Sequence, residues 1–459
     1  MGKKAKTIDM TNGPIFGPLV LFILPLIGGS IFQQLYNTVD FIFVGNFLDK
    51  TAAAAVGASA TLINCTIGLF TGIAVGTTVV AARAIGSGDL KRAEKTIHTS
   101  ITLGIIGGIV LMAVGILFSP GILRLLNTPE SVMPQAILYI RIYLISLPML
   151  FFYNIVSGGL RAEGDSSTPF KVLVICGLLN VVFDAFFIVV VKMGVAGVAL
   201  ATTLTQSLSA LMIGIFASRK ERTIRFSFRQ LGIDGPLLKG VLRIGLPTGI
   251  QTIIITISNV FVQYFINDFG ETAVAAFATY YKVENLIFLS ILAVGQASTT
   301  FAGQNMGAGN YRRIRKGSLI MLCLGAGITI IVAGLILLFP DVVFRWFMKD
   351  PEVIANAISL AMVSFPFYWI YPAIEVFGGA IRSLGYSITS MVVIIINLCA
   401  VRIGLLSFFS KTIHTMQSLA AVYPITWATA ALSFTVIFFI VIRKFIKKSE
   451  SNDRPKEIV

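Results

Sequence analysis

Polar and charged residues gather into short clusters along the chain. Between them lie apolar runs centred near residues 32, 68, 107, 145, 180, 205, 252, 287, 327, 367, 397 and 430. Each run reaches about 20 residues or more, the length at which an α-helix crosses the hydrocarbon core of a bilayer. None alternates apolar and polar with the period of two that a transmembrane β-barrel strand requires. The pattern therefore predicts an all-α integral membrane protein with twelve transmembrane helices. The first run, from about Ile15 to Phe47, follows the basic start Gly2-Lys3-Lys4-Ala5-Lys6. It is too long for the apolar core of a cleaved signal peptide, so a retained first span is expected. The Met-Gly start does not read as a myristoylation signal, because Lys6 stands where that motif wants Ser or Thr.

Composition sharpens this picture. Hydrophobic residues make up 56% of the 459 positions and charged residues only 12%, with a mean hydropathy of +0.87, which excludes one large soluble enzyme domain. The net charge of +15 would suggest nucleic acid in a soluble protein. Here it follows orientation: with both termini and the even-numbered connections in the cytoplasm, 27 of the 36 Lys and Arg fall on that side. A multi-pass protein of the cytoplasmic membrane is expected, in contact with lipid and without a nucleic-acid partner. Cys65, Cys176, Cys323 and Cys399 all lie in apolar runs without C-x-x-C spacing, and His98 and His414 are the only histidines, so no disulfide framework or zinc site is implied. No phosphate-binding Gly-x-x-x-x-Gly-Lys-[Ser/Thr] sequence occurs. Active transport would then use an ion gradient or a separate ATPase, and no cofactor is expected beyond a coupling ion.

The chain repeats itself at an offset of 221 or 222 residues. Leu24-Pro25 falls on Leu246-Pro247, Thr51-Ala52-x-Ala54-Ala55 on Thr272-Ala273-x-Ala275-Ala276, and Gly86-x-Gly88-x-x-x-Arg92 on Gly307-x-Gly309-x-x-x-Arg313. Pro129-Glu130 falls on Pro351-Glu352, and Gly158-x-x-Arg161-x-x-Gly164 on Gly379-x-x-Arg382-x-x-Gly385. A six-helix repeat returns the chain to its starting side, so two lobes related by a pseudo-twofold axis along the membrane normal are expected, with a cleft between them. The lobes are read as residues 1–218 and 239–445, joined by a cytoplasmic linker at 219–238 and followed by a polar cytoplasmic tail at 446–459. The linker, basic with Phe226 and Phe228 interleaved, reads as a solvated, lipid-touching connector.

Four acids fall within spans: Asp40, Asp184, Glu284 and Glu375. A carboxylate at a span centre costs about 2.5 to 3.5 kcal/mol on insertion scales, and the repeat partners of all four are apolar or neutral, so the scaffold does not require them. Gln33, Asn37 and Asp40 form a polar stripe on the first helix with Tyr36 beside it. Asn180 and Asp184 share a face of the fifth, and Thr202, Gln206 and Ser209 form a stripe on the sixth. Three such faces can converge on a small chamber whose oxygens suit a hard monovalent cation or share a proton; interhelical hydrogen bonding is the competing use. In the second half, Glu284 lies near Lys282. Glu375 has Tyr371 one turn earlier and Tyr368 and Trp369 nearby, an arrangement that suits a lipophilic cation or an interfacial aromatic belt. Pro25 and Pro247, each inside the first helix of its half, are kink positions and candidate hinges. Gly86-Ser87-Gly88-Asp89 matches the Gly-x-Gly-Asp of intramembrane aspartyl proteases but reads as a turn, being followed by Leu90-Lys91-Arg92.

These residues resemble the multidrug and toxic compound extrusion (MATE) transporters, within the wider group that also holds oligosaccharide and lipid-linked precursor flippases. The resemblance spans the chain and is carried by Leu24-Pro25, by Tyr36-Asn37-Thr38-Val39-Asp40 with Val44-Gly45, and by Gly303-Gln304-Asn305-Met306-Gly307-Ala308. It implies a cation site for Na⁺ or H⁺ at Asp40, Asn180, Asp184 and Thr202, with Tyr36 and Tyr139 around it, and a bend at Pro25 on protonation. Many members carry an acid on the seventh helix where this chain offers Gln251, Asn259 and Gln263, while Glu375 matches the acid on the tenth. Residues Glu284, Glu375, Tyr371, Gln251 and Asn259 are candidates for the substrate cleft. The expectation is a monomeric antiporter, not an enzyme, exporting amphipathic cationic organic compounds against Na⁺ or H⁺. The rivals are a flippase using Lys282 and Arg402 for phosphates, and a polytopic membrane enzyme.

Overall fold

A computed structural model describes residues 7–125, 127–219, 222 and 224–452, and among them the chain is helical without strands. The helices are α1 (Phe16–Phe47), α2 (Lys50–Gly86), α3 (Leu90–Leu125), α4 (Met133–Leu144), α5 (Leu147–Ala162), α6 (Ser167–Asp184), α7 (Val195–Ala217) and α8 (Gly235–Asn267). They continue as α9 (Glu271–Gly307), α10 (Tyr311–Leu338), α11 (Pro340–Arg345), α12 (Pro351–Ser364), α13 (Tyr371–Ser383), α14 (Ser387–Ile395), α15 (Arg402–Thr412) and α16 (Met416–Asn452). Eleven stretches are long and apolar enough to cross a membrane, and α4 with α5, bent by 44°, makes a twelfth. The bend falls where Ser146 and Pro148 interrupt the run: Ser146 Oγ donates to the Tyr143 carbonyl, and proline supplies no N–H. In the second half, a 3₁₀ turn at Phe365–Ile370 separates α12 from α13 at the equivalent place, again beside prolines.

The apolar surface is turned outward. The most apolar window of α3 is only 17% buried, with Leu117 and Leu125 bare, whereas that of α9 is 72% buried. A soluble protein would hide α3; here lipid is the solvent that favours its exposure. Side-chain hydrogen bonds within the spans go mostly to the carbonyl one turn back, as with Thr77 to Ile73 and Thr329 to Gly325, so polar residues there are satisfied locally.

The repeat is carried into three dimensions by close contacts of glycine. A Cβ on Gly158 would meet Thr78 Oγ1 at 2.8 Å and the Ala74 carbonyl at 3.1 Å; one on Gly379 would meet Thr299 Oγ1 at 2.7 Å and the Gly295 carbonyl at 2.9 Å. Gly88 and Gly309, and likewise Gly164 and Gly385, take positive φ in matching turns. The Gly-x-Gly-Asp motif is such a turn: Gly88 has φ +79°, and exposed Asp89 caps α3 by accepting from Arg92 N.

Contacts divide the chain into two compact units, Met1–Asp9 with Leu24–Gly249, and Met10–Ile23 with Ile250–Val459. This differs from a division at 218 and 239. The start of α8 belongs to the first unit because Gly245 and Gly249 lie against Gly72 and Gly76 of α2, where no side chain separates the backbones. Two of the three boundaries, at 23/24 and 249/250, fall within two residues of the intrahelical prolines Pro25 and Pro247.

The segment after α7 is only in part the solvated connector that its charge suggests: Arg225, Phe228, Arg229 and Ile233 are exposed, but Arg222, Ile224 and Phe226 are docked. Phe226 is 4% exposed, stacked on His98 and edge-on to Phe152, and Ser227 N donates to His98 Nε2. Arg222 pairs with Glu163 at 3.3 Å and Asp165 at 2.7 Å, while Ile224 N donates to Glu163 Oε1. Buried phenylalanine and paired charge hold this segment to the first unit. Burial pushes the Glu163 carboxyl up to about 7 despite Arg222 beside it. With the segment released, Glu163 would give up its proton at the ordinary value of 4.5, so docking is favoured below that pH and weakens as pH rises towards 7. Hydrogen exchange at Ile224, corrected for intrinsic rates, is expected to be slower at pH 5 than at pH 7.5, and Glu163→Gln to remove the difference.

Candidate functional site

The first unit brings the acids of α1 and α6 together. Asn180 and Asp184, one turn apart on α6, are 1% and 0% exposed, and the carboxyls of Asp184 and Asp40 act directly on each other. Five buried atoms there, Asp40 Oδ1 and both side-chain polar atoms of Asn180 and of Asp184, have no hydrogen-bond partner beyond what the two carboxyls offer each other. An unsatisfied buried polar atom costs about 1 to 3 kcal/mol, more when charged. The cluster is therefore poised for a proton or a cation supplied from outside the protein. Around it stand Tyr36 and Tyr139, which feel Asp40, and Tyr143, stacked on Tyr139 at 6.3 Å. Tyr143 was not singled out in the sequence, although its spacing of four from Tyr139 on α4 puts both rings on one face.

The α7 stripe joins this cluster less directly. Thr202 donates to the Val198 carbonyl at 3.1 Å, and no described interaction links Thr202 or Gln206 to either acid. Ser209 instead interacts with Cys176 of α6. The Asn37 side chain lies outside the described residues. Among the described residues no group of three or more His, Cys, Asp and Glu assembles. Two carboxyls and an amide match a shared proton or a monovalent hard cation.

In the second unit Tyr368 faces Glu284, while Tyr371 lies beside Glu375 and feels both acids. Tyr368 donates to Glu284 Oε1, and Trp427 packs against Tyr368 at 4.3 Å and Tyr371 at 5.7 Å. The 3₁₀ turn before α13 sets this arrangement by carrying Tyr368 inward and leaving Trp369 50% exposed. Glu375 lies against Gly295 and feels Arg382. Gln251 is buried with Oε1 unpartnered, whereas Asn259 is exposed and Gln263 bonds to Asn267. The five cleft candidates thus do not form one cluster. Lys282 is exposed, and Arg402, which the phosphate reading paired with it, is buried over the Tyr423 ring at 5.0 Å.

This geometry can be set beside known proteins. The profile of the MatE family matches residues 25–186 and 247–407, two segments that begin at Pro25 and Pro247 and cover more than two thirds of the chain. The chain belongs to the MatE family. Members of the family are transporters, and this one is a multi-pass membrane protein akin to multidrug efflux proteins. It is 31% identical over 407 residues to "Probable multidrug resistance protein YpnP" of Bacillus subtilis, covering 88% of this chain and 91% of that one. Two solved structures share the MatE fold across 97% of the chain. One is an outward-facing multidrug resistance MATE transporter of the MOP superfamily, with 24% identity, TM-score 0.91 and all of that chain covered. The other is a MOP superfamily transporter from Pyrococcus furiosus described as having a binding pocket of reverse polarity, with 25% identity, TM-score 0.90 and 99% of that chain covered.

Proposed function

We propose that this MatE protein is a secondary antiporter of the cytoplasmic membrane that exports amphipathic, cationic organic compounds in exchange for inward Na⁺ or H⁺. The observation that carries the reading is the set of five polar atoms on Asp40, Asn180 and Asp184 with no partner beyond what the two carboxyls offer each other, buried where a proton or cation would satisfy them. Its relatives include proteins named for multidrug resistance, which supports the substrate class. The protein works as a monomer with both termini in the cytoplasm, without a cofactor beyond the ion and without nucleic acid. Ion and substrate compete for one conformation of the first unit: an ion arriving from outside neutralises the acid pair, lets it close, and drives release of substrate. Pro25 and Pro247, at the unit boundaries, are the bending points. Inward movement of one positive charge supplies about 2.3 kcal/mol per 100 mV, enough for a roughly 50-fold gradient of a neutral substrate.

The test is efflux of a fluorescent lipophilic cation from proteoliposomes with a sodium or a pH gradient imposed separately. Wild-type transport under one gradient names the ion. No movement under either, with folded and inserted protein, would overturn the reading and turn attention to lipid-linked substrates.

A further inference from the structure

The second unit contains two opposite charges, a buried Arg402 and a half-buried Glu284, that the fold leaves apart. Arg402, 5% exposed at the start of α15, forms no hydrogen bond or ion pair among the described residues. Its Nε is enclosed without a partner, and what it meets is the face of Tyr423. Glu284 on α9 feels the Arg402 charge, yet no salt bridge of 4.0 Å or less joins them; it accepts from Tyr368 and keeps part of its surface open. Two buried ions of opposite sign gain most by closing on each other. A pair held open, with hydrogen-bonding capacity left on both members, matches a ligand that carries both charges.

We propose that Glu284 and Arg402 form a binding site for a compact aromatic zwitterion, its carboxylate on the Arg402 guanidinium, its ammonium on Glu284 and its ring against Tyr423. The guanidinium fork fits a carboxylate with two parallel N–H bonds, which a point charge such as lysine cannot reproduce. A lone anion would face Glu284, and a lone cation would face Arg402; only a molecule with both ends satisfies both. Tyr423 lies beneath Arg402 and packs against Trp427 at 6.0 Å, so an aromatic surface connects the charged ends.

The helix geometry points the same way. In the first unit, Asp184 follows Asn180 by four residues of α-helix; in the second, Arg402 follows Asn397 by five residues across the π turn Ile396–Val401. A π turn spends one extra residue per turn, so both charges lie one turn beyond an asparagine. At the repeat offset Arg402 falls on Asn180 and Asp184 on Leu405, so the first unit carries an anion and the second a cation that the repeat does not require. A proton or metal cation suits the first, and an organic anion end suits the second. This rests on the transport reading but changes its substrate at this site from a lone cation to a zwitterion, and it is tested by binding alone.

Isothermal titration of the purified full-length protein with 4-(aminomethyl)benzoate, benzoate and benzylamine decides it. The zwitterion is expected to bind at least about 10-fold tighter than either single-charge compound. Arg402→Gln should lower zwitterion affinity by about 10-fold or more while sparing benzylamine, and Glu284→Gln should do so while sparing benzoate. Arg402→Lys, which keeps the charge without the fork, should bind the zwitterion with intermediate affinity, and it serves where Arg402→Gln does not fold. Equal affinities for the three compounds, no binding of the zwitterion to wild type, or unchanged affinity in folded Arg402→Gln would each overturn the proposal. Because no gradient is imposed, binding without efflux would count against the transport reading alone.

Discussion

Asp184→Asn is expected to reduce gradient-driven efflux in proteoliposomes by at least about 10-fold while leaving the protein folded. The substitution keeps the shape of the side chain and removes its charge and its titration. Asp184 is fully buried and what its carboxyl meets is the Asp40 carboxyl, a contact that an asparagine amide can keep by donating to Asp40. Replacing a buried, unpaired carboxyl with a neutral amide also relieves desolvation, so the thermal midpoint should hold or rise. Asp40→Asn should behave similarly. The double variant should be little worse than either single one, because two carboxyls that act on each other serve one ion. Wild-type efflux by a well-folded Asp184→Asn protein would remove Asp184 from the coupling site.

Gly72→Ala is expected to destabilise the first unit by about 3 kcal/mol, the upper part of the usual overpacking range. A Cβ there would lie 2.3 Å from Gly249 N and 2.5 Å from the Gly245 carbonyl, both backbone atoms. No rotamer change removes such a clash; α2 and α8 would have to separate. Gly57→Ala, on the same α2 with nothing within 4 Å, is the control, and alanine there should be neutral or slightly favourable to the helix. Thermal unfolding in detergent compares the two. Equal midpoints would mean that α2 and the start of α8 do not meet at these glycines.

Much of this protein was legible along the chain because bilayer thickness and the helical period are fixed. Apolar runs of sufficient length give the spans, including the one that bends at Ser146 and Pro148. The repeat was legible for a related reason. Gly88, Gly164, Gly309 and Gly385 adopt positive φ, and Gly158 and Gly379 stand where a Cβ would strike a neighbouring helix, so their spacing is read from sequence as well as from structure. The stripe on α1 and the Asn180–Asp184 pair were legible as faces of single helices, since i to i+4 spacing is a local property.

What pairs with what was decided by tertiary structure. Asp40 and Asp184 are 144 positions apart in numbering, and nothing in either helix says that their carboxyls meet while Thr202 turns to its own backbone. Of the aromatic side chains near Glu375 in sequence, Tyr368 serves Glu284 in space while Tyr371 stays beside Glu375, because the 3₁₀ turn at Phe365–Ile370 changes which residues face inward. The basic segment after α7 reads as solvated from its charge alone, and Arg225, Phe228 and Arg229 are exposed, yet Arg222 and Phe226 are docked, because Glu163 and Asp165 neutralise Arg222 and Phe226 finds His98 and Phe152. Hydropathy and spacing belong to one helix at a time. Charge pairing and burial depend on which helices pack together, and that is settled only when the chain closes on itself.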